Sequence, residues 1–375
     1  MSLITTKKMT GDSVDMKELA ARICRDYLHG AWKSVTAQTI GFKHISGGLS
    51  NLLYHISLPE HVIEQGKCKS EPKEVLIRVY GQTHGEKEKA LEALITDSVI
   101  FTLLSERGLG PKLHGIFPGG RIEQYINARP LKTKELADEK LSTQIAQKMA
   151  TIHSMEVPLH KSPRWLWDTI NRWLKICDTK LTELPDFVQD VVKSTNLQEE
   201  AVWLKQRLEA EKSPVLFCHN DMQEGNILMS QDSDKENNNE PNIVIIDFEY
   251  CSYNYRSFDI ANHFVEWIYD YTKSEYPCYT ENSENYPSEK QRLRFIKTYL
   301  NERGCKDSPK KVLREVEVFT LASHFFWTLW AFINVNTSQI PFGYSEYGVS
   351  RFTNYLQLKQ KLTNQQVKRK VDTLG

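Results

Sequence analysis

The sequence predicts an α+β chain of two lobes, a small antiparallel-sheet lobe followed by a large, mostly helical one. Two observations carry this expectation. Short β-rich runs such as "LLYHISL" (52–58) and "EVLIRVYG" (74–81) cluster before residue 127, whereas helix-period apolar stripes dominate from about residue 131. With 375 residues the chain also exceeds one ordinary domain. The expected division is a polar tail at 1–15, an N-lobe at 16–126 and a C-lobe at 127–375.

Taken in order, "MKELAARICRDYLHG" (16–30) reads as a helix stopped by Gly30. "GFKHISGGLSN" (41–51) is a strand running into a glycine turn. In "EVLIRVY", Val75, Ile77 and Val79 share one face, so Arg78 projects from the other with Leu76 and Tyr80. A helix over about 86–107 ends at Gly108, and "KLHGIFP" and "RIEQYI" close the sheet. In the second lobe "LSTQIAQKMATIHSM" carries apolar residues at 141, 145, 149 and 152, one helix face. "SQDSDKENNNEP" (230–241) is a polar surface loop. "FDIANHFVEWIYDY" (258–271) and the Trp-rich stretch near 320–335 read as helices, and no repeat of 20–50 residues is present.

Composition excludes some classes. Lys plus Arg and Asp plus Glu both number 48, so no global field draws nucleic acid or anionic lipid, and basic runs such as Lys368-Arg369-Lys370 read as solvated. Seven cysteines, at 24, 68, 177, 218, 251, 278 and 305, form no C-x-x-C pair, as expected in a reducing compartment without a zinc ribbon. Residues 1–15 lack a signal-peptide core, and the apolar stretch 319–335 is short for a span and carries Ser323, His324 and Asn334. A soluble, cytoplasmic protein without stable membrane insertion is expected.

The chemistry concentrates in "FCHNDMQEGNIL" (217–228) and "NIVIIDFEY" (242–250). Asp221 and Asn226 are five apart, the spacing of the D-x-x-x-x-N catalytic loop of eukaryotic kinases, and Asp247 ends an apolar strand where such chains place a second metal carboxylate. Phosphoryl transfer needs positioning and neutralisation of phosphate charge. A hard Mg²⁺ takes oxygen ligands, and Asn226 offers a neutral one and Asp247 an anionic one. Asp221 then remains to accept a hydroxyl proton. The same Asp and Asn types also cap turns without any chemistry.

"SGGLSN" (46–51) is a glycine turn of a kind that brings N–H groups to phosphate, although most such turns only close hairpins. Arg78 stands where kinases carry a phosphate-pairing lysine, or else forms a structural ion pair. Its acidic partner on the helix 86–107 is Asp97, Glu92 or Glu88, with Asp97 preferred. Trp327 and Trp330 share a helix face, and Tyr250, Glu266, Trp267, Tyr271, Phe342, Tyr344 and Tyr347 add rings and a carboxylate. Such a group is either core or a cage for a quaternary ammonium, which has no N–H to donate and is held by aromatic faces beside a carboxylate.

The run "FCHNDMQEGNIL…IVIIDFEYCSYNYRSFDIANHFVEW", with "GGLSN", "VLIRVYG", "LLSERGLGPKLHGIFPGGRIEQYI" and "ASHFFWTLW…FGYSEYG" in the same order, resembles the choline kinases of the choline/ethanolamine kinase family over roughly residues 16–360. The resemblance implies a two-lobed protein-kinase-like fold that moves the ATP γ-phosphate onto choline, the first step of phosphatidylcholine synthesis. It implies Asp221 as base, acting with Asn226, and places Asn226 and Asp247 on Mg²⁺. The ATP contacts it implies are Ser46, Gly47, Gly48, Leu49, Ser50, Asn51, Leu52, Arg78 and Gln223, with Asp247 acting through the metal. A hinge beside adenine would run through Gln124, Tyr125, Ile126, Asn127, Ala128, Arg129 and Pro130. Tyr250, Glu266, Tyr271, Trp327, Trp330, Phe342 and Tyr347 would line the choline site, and a homodimer is implied as well.

Three positions depart from the pattern. Ser46 stands where several relatives carry Arg, Asp97 replaces the more usual Glu, and Asn127-Ala128 replaces Pro-Ser, which together weaken ATP contacts. "MQEGN", "DFEY" and "EWIYDY" resemble the choline branch rather than ethanolamine kinases, with ethanolamine kinase or dual activity as the alternative. "DFE" in place of D-F-G, with no A-P-E following, argues against a protein kinase. The presence of Asp221, Asn226 and Asp247 argues against an inactive scaffold.

Overall fold

Five strands of alternating polarity pair into one antiparallel sheet in the first part of the chain: β1 (Gly41–Ile45), β2 (Asn51–Ser57), β3 (Glu74–Tyr80), β4 (Leu113–Phe117) and β5 (Gly120–Gln124), in the order β1-β2-β3-β5-β4. The protein is represented by a computed structural model that describes residues 14–45, 51–64, 71–80, 87–231, 242–338 and 340–374. It divides into two units, Met1–Ala128 with Ser230–Asp232, and Arg129–Met229 with Ser233–Gly375.

In the first unit, helix α1 (Val14–Tyr27) covers one sheet face, α2 (Glu60–Glu64) is a short connector, and α3 (Lys87–Glu106) follows β3. Tyr54, Ile56, Val75, Ile77 and Ile122 bury with Ala20, Cys24 and Trp32 against α1. The α1 helix stops before the expected Gly30, which adopts a left-handed φ of +57° and opens a 3₁₀ turn, Gly30–Ser34, that buries Trp32. Register pairs Arg78 with Arg121 across β3 and β5, so the pleat sends both, with Glu123, to the opposite face. Gly120 makes that pairing close, because a Cβ there would lie 2.2 Å from the Arg78 carbonyl oxygen.

The remaining elements lie wholly or mainly in the second unit. Strands β6 (Ala128–Pro130), β8 (Ile227–Ser230) and β9 (Ile243–Ile245) form a small sheet in the order β6-β8-β9. Strand β7 (Val215–Cys218) pairs with β10 (Ser252–Tyr255), and β11 (Tyr269–Asp270) with β12 (Thr280–Glu281). The helices are α4 (Glu139–His153), α5 (Arg164–Thr179), α6 (Asp186–Ser194), α7 (Leu197–Glu209), α8 (Arg256–Glu266), α9 (Glu289–Glu302), α10 (Pro309–Asn334) and α11 (Tyr344–Leu374). Their starts carry local signals: the Asp138 carboxylate caps α4, Asn196 caps α7, and Ser288 with Gln291 forms a capping box on α9. The α4 stripe Leu141, Ile145, Met149 and Ile152 is buried as expected.

The helices read over 258–271 and near 320–335 are both present, with different bounds. Residues 319–334 of the apolar stretch belong to a 26-residue helix, α10, and 83% of its most apolar window is buried inside the protein. Its hydropathy therefore serves the core of the second unit, where α10 packs on α5, α8, α9 and α11. The helix expected over 258–271 ends at Glu266. Trp267 and Ile268 close it with bonds to Phe264 O and Val265 O, and Thr133 Oγ1 donates to Tyr269 O at 3.2 Å, drawing the chain into β11.

Candidate active site

The loop from His219 to Asn226 follows β7 and is held in part by one face of α8. Asp259, Asn262, His263 and Glu266 stand at i, i+3, i+4 and i+7 on that helix. Asp259 accepts the main-chain amides of His219 and Asn220, each at 2.8 Å. Asn262 Nδ2 donates to Asn220 O at 3.4 Å, and His263 Nδ1 bonds Met222 O at 2.9 Å. Asn220 takes a left-handed φ of 70°, and its side chain is fixed by Tyr250 O and by Asn254 Nδ2, both at 2.8 Å. These bonds over-determine the turn and hold the strained residue in place.

His219 ties this loop to the segment just after β9 that carries Asp247. Its Nε2 bonds Ile246 O at 3.0 Å and its Nδ1 receives Asp221 N at 3.3 Å, the pattern of a neutral ring protonated at Nε2. Burial lowers its pKa accordingly. Ile246 N in turn donates to Asn226 O at 3.0 Å, and Asp247, the next residue, has φ 63°. Asn226 Nδ2 bonds both Asp221 O and Asp221 Oδ2 at 2.9 Å, which leaves Asn226 Oδ1 as its ligand atom. Asp221 and Asn226 are thus in contact, with Asp247 one main-chain bond away.

Electrostatically the group is short of positive charge. Burial first, then the charges of Glu266, Asp247 and Glu249, push the Asp221 pKa well above the usual carboxylate range. A site built of one amide oxygen and neighbouring carboxylates, of which Glu266 is paired with Arg351, fits a hard divalent cation and an ammonium. By contrast, the buried trio His153, Cys218 and Asp259 leaves no ring nitrogen for a metal, since His153 Nδ1 is taken by Tyr299 Oη at 2.8 Å and Nε2 by Asp259 at 2.9 Å.

The seven residues expected to line a cationic pocket converge in the second unit. Tyr250 meets Trp327 edge-on at 5.8 Å between centroids, and Trp327 meets Trp330 at 5.3 Å. Trp330 reaches Tyr347 at 6.3 Å, and Phe342 packs on Tyr347 at 5.4 Å and on Tyr271 at 6.2 Å. Tyr271 Oη donates to Glu266 Oε2 at 2.8 Å, a bond made possible by the early end of α8. Trp327 Nε1 donates to Asn262 Oδ1 at 2.7 Å, so the aromatic group and the loop share one side chain. Trp267, grouped with these rings from sequence, packs instead on His263 and Phe264. Tyr279 and the fully buried Arg351 join the group unforeseen.

In the first unit, Arg78 Nε donates to Glu123 Oε1 at 2.7 Å, and Arg121 Nε reaches the same oxygen at 2.7 Å. Burial alone would raise the Glu123 pKa, but the two guanidiniums hold it below the ordinary value. Asp97, preferred from sequence as the acid of Arg78, is bonded instead by Arg121 and by Tyr80 Oη. Strand alternation explains the exchange: Glu123 lies two residues along β5 from Arg121, on the face Arg78 already occupies. The side chains of Glu88 and Glu92 lie outside the described residues, as do Ser46, Gly47, Gly48, Leu49 and Ser50. Leu52 is partly exposed, and Tyr125 stacks on His55 at 3.8 Å. In the second unit, Gln223 Oε1 caps Gly225 N at 2.8 Å, and Arg129 forms a two-point pair with Glu135 at 2.7 and 2.8 Å.

An antiparallel-sheet unit followed by a helical unit that carries the H-N-D loop and the strand-terminal Asp has a protein-kinase-like fold, and the protein is a kinase. The family model described as choline/ethanolamine kinase matches residues 42–356. A choline/ethanolamine kinase of Rattus norvegicus is 46% identical over 362 residues, covering 94% of this chain and 89% of the relative. Choline kinase alpha of Mus musculus is 43% identical over 366 residues, covering 90% and 80%. The crystal structure of a choline kinase from Cryptosporidium parvum superposes with a TM-score of 0.74 at 29% identity, covering 93% of this chain and 97% of that one. The chain belongs to the choline/ethanolamine kinase family.

Proposed function

We propose that the protein transfers the γ-phosphoryl group of ATP to the hydroxyl of choline, with ethanolamine as the alternative acceptor. The observation that carries the reading is the short path from cage to base: Trp327 to Asn262, Asn262 to Asn220 O, and Asn220 to the adjoining Asp221. A quaternary ammonium among Tyr250, Trp327, Trp330 and Tyr347 gains cation–π attraction and the field of Glu266.

Asp221 takes the hydroxyl proton as the alcohol oxygen bonds to phosphorus, and ADP leaves with the electron pair of the broken P–O bond. The ammonium of choline lowers the Asp221 pKa toward working range by offsetting the surrounding carboxylates. Asn226 Oδ1 and Asp247 would hold Mg²⁺, which would supply neutralisation of phosphate charge. Arg78, Gln223, the 46–52 turn and the 124–130 segment are proposed to bind ATP. Arg78 is oriented by Glu123, so its role is charge rather than a freely swinging contact. The same proposal has the protein work in the cytoplasm as a homodimer, making phosphocholine for membrane lipid.

Incubation with ATP, Mg²⁺ and choline tests it. Phosphocholine and ADP in equal amounts are expected; ADP without phosphocholine, or neither at saturating substrate, rejects the reading.

A further inference from the structure

Arg351 is completely buried, yet no motif of the sequence pointed to it. Its Nη2 bonds Glu266 Oε1, and Nε and Nη2 reach Tyr347 Oη at 2.8 and 2.6 Å. Tyr271 Oη donates to Glu266 Oε2, so the 2.9 Å contact between the two phenols is a donation from Tyr347 to Tyr271. The four side chains therefore close a ring in which each carboxylate oxygen already carries a donor. The one polar atom of this ring without a partner among the described residues is Arg351 Nη1, itself a donor.

The guanidinium also lies over the rings of Tyr269, 4.2 Å from the centroid, and Tyr347, 5.0 Å away. The cage thus contains its own cation, which offsets much of the charge of Glu266 and uses its acceptors. A quaternary ammonium loses little by this, because it brings no N–H and is drawn by ring faces. A primary ammonium gives up hydrogen bonds to water and must share or displace a donor on Glu266 to regain them.

Resting on the choline reading above, we infer that Arg351 is a specificity-determining residue: by occupying Glu266 from inside the cage, it favours quaternary over primary ammonium substrates. The test compares kcat/KM for choline and ethanolamine in the full-length wild-type protein, Arg351→Met and Arg351→Lys. Methionine keeps much of the volume and frees Oε1, so the choline-to-ethanolamine ratio is expected to fall by about tenfold or more, the scale of a hydrogen bond to a charged group. Lysine keeps the charge with a single contact point, and a smaller fall is expected. An unchanged ratio in a folded Arg351→Met protein overturns the inference; if that variant does not fold, an unchanged ratio in Arg351→Lys does so.

A second measurement is independent of phosphoryl transfer. Tryptophan fluorescence titrated with tetramethylammonium and with methylammonium should show the former binding about tenfold or more tightly to the wild type, with the gap narrowing in whichever variant folds. Equal binding to the wild type, or a gap the variant leaves intact, overturns the inference. If the wild type phosphorylates neither alcohol, the functional reading falls, and the titration still decides the role of Arg351.

Discussion

The carboxylate of Asp259 accepts the main-chain amide of Asn220 at 2.8 Å while its second oxygen takes His219 N and His153 Nε2. Three donors on one buried acid hold its pKa down against the effect of burial, and His153 stays neutral. Asp259→Asn places an amide N–H against one of these donors. Stability should fall by roughly 1–3 kcal/mol, the cost of an unmet buried polar group. Urea unfolding followed by circular dichroism measures this. With the loop displaced, kcat should drop more than choline KM changes.

Asp221→Asn leaves the loop bonding largely intact and removes the proton acceptor. A fall in kcat of about 10²–10⁴-fold is expected, with choline KM little changed. Near-normal turnover would remove the role of base from this carboxylate.

Trp330→Ala withdraws a ring face that meets Trp327, Tyr344 and Tyr347. Choline KM should rise to an extent set by roughly 0.5–2 kcal/mol of lost cation–π attraction, with some loss of packing stability. An unaltered KM would make this tryptophan a core residue only.

Acid should unfold the protein through its buried neutral histidines. Burial takes His263 from 6.5 to about 4, and its two bonds, to Met222 O and from Trp267 Nε1, suit the neutral ring. An unfolded chain binds this proton more readily, so the contribution is complete above pH 6.5 and is lost as pH falls toward 4. Its size is on the order of 3 kcal/mol. The urea midpoint should fall between pH 7 and pH 4.5, and less steeply in His263→Gln.

Much of this site was legible because it is local in sequence. H-N-D, the Asn five residues on and the strand-terminal Asp occupy one loop and one strand, and the tryptophans share a turn of helix. What was missed depends on pairing between distant segments. Glu123 matters only because β5 sits beside β3, although "RIE" already puts Arg121 and Glu123 on one strand face. Asp259, Asn262 and His263 were visible as a D-x-x-N-H pattern at helix spacing, but only the fold says what lies against that face. Arg351 gave no signal, since a lone arginine on a long polar helix reads as solvated. The end of α8 carries no glycine or proline, and the segment after it is bonded by residues far away in the chain, Thr133 on Tyr269 O and Asn282 N on Ile268 O.

The placement of Glu266 on the same helix as Asp259, Asn262 and His263 bears on any attempt to redesign the enzyme for a new alcohol. Repositioning that acid by shifting α8 would drag the backbone around Asp221 with it, so gains in recognition would be offset by lost turnover. Helices α10 and α11, which present Trp327, Trp330 and Tyr347 but do not grip the reactive loop except through Asn262, are the more independent place to recut the cavity.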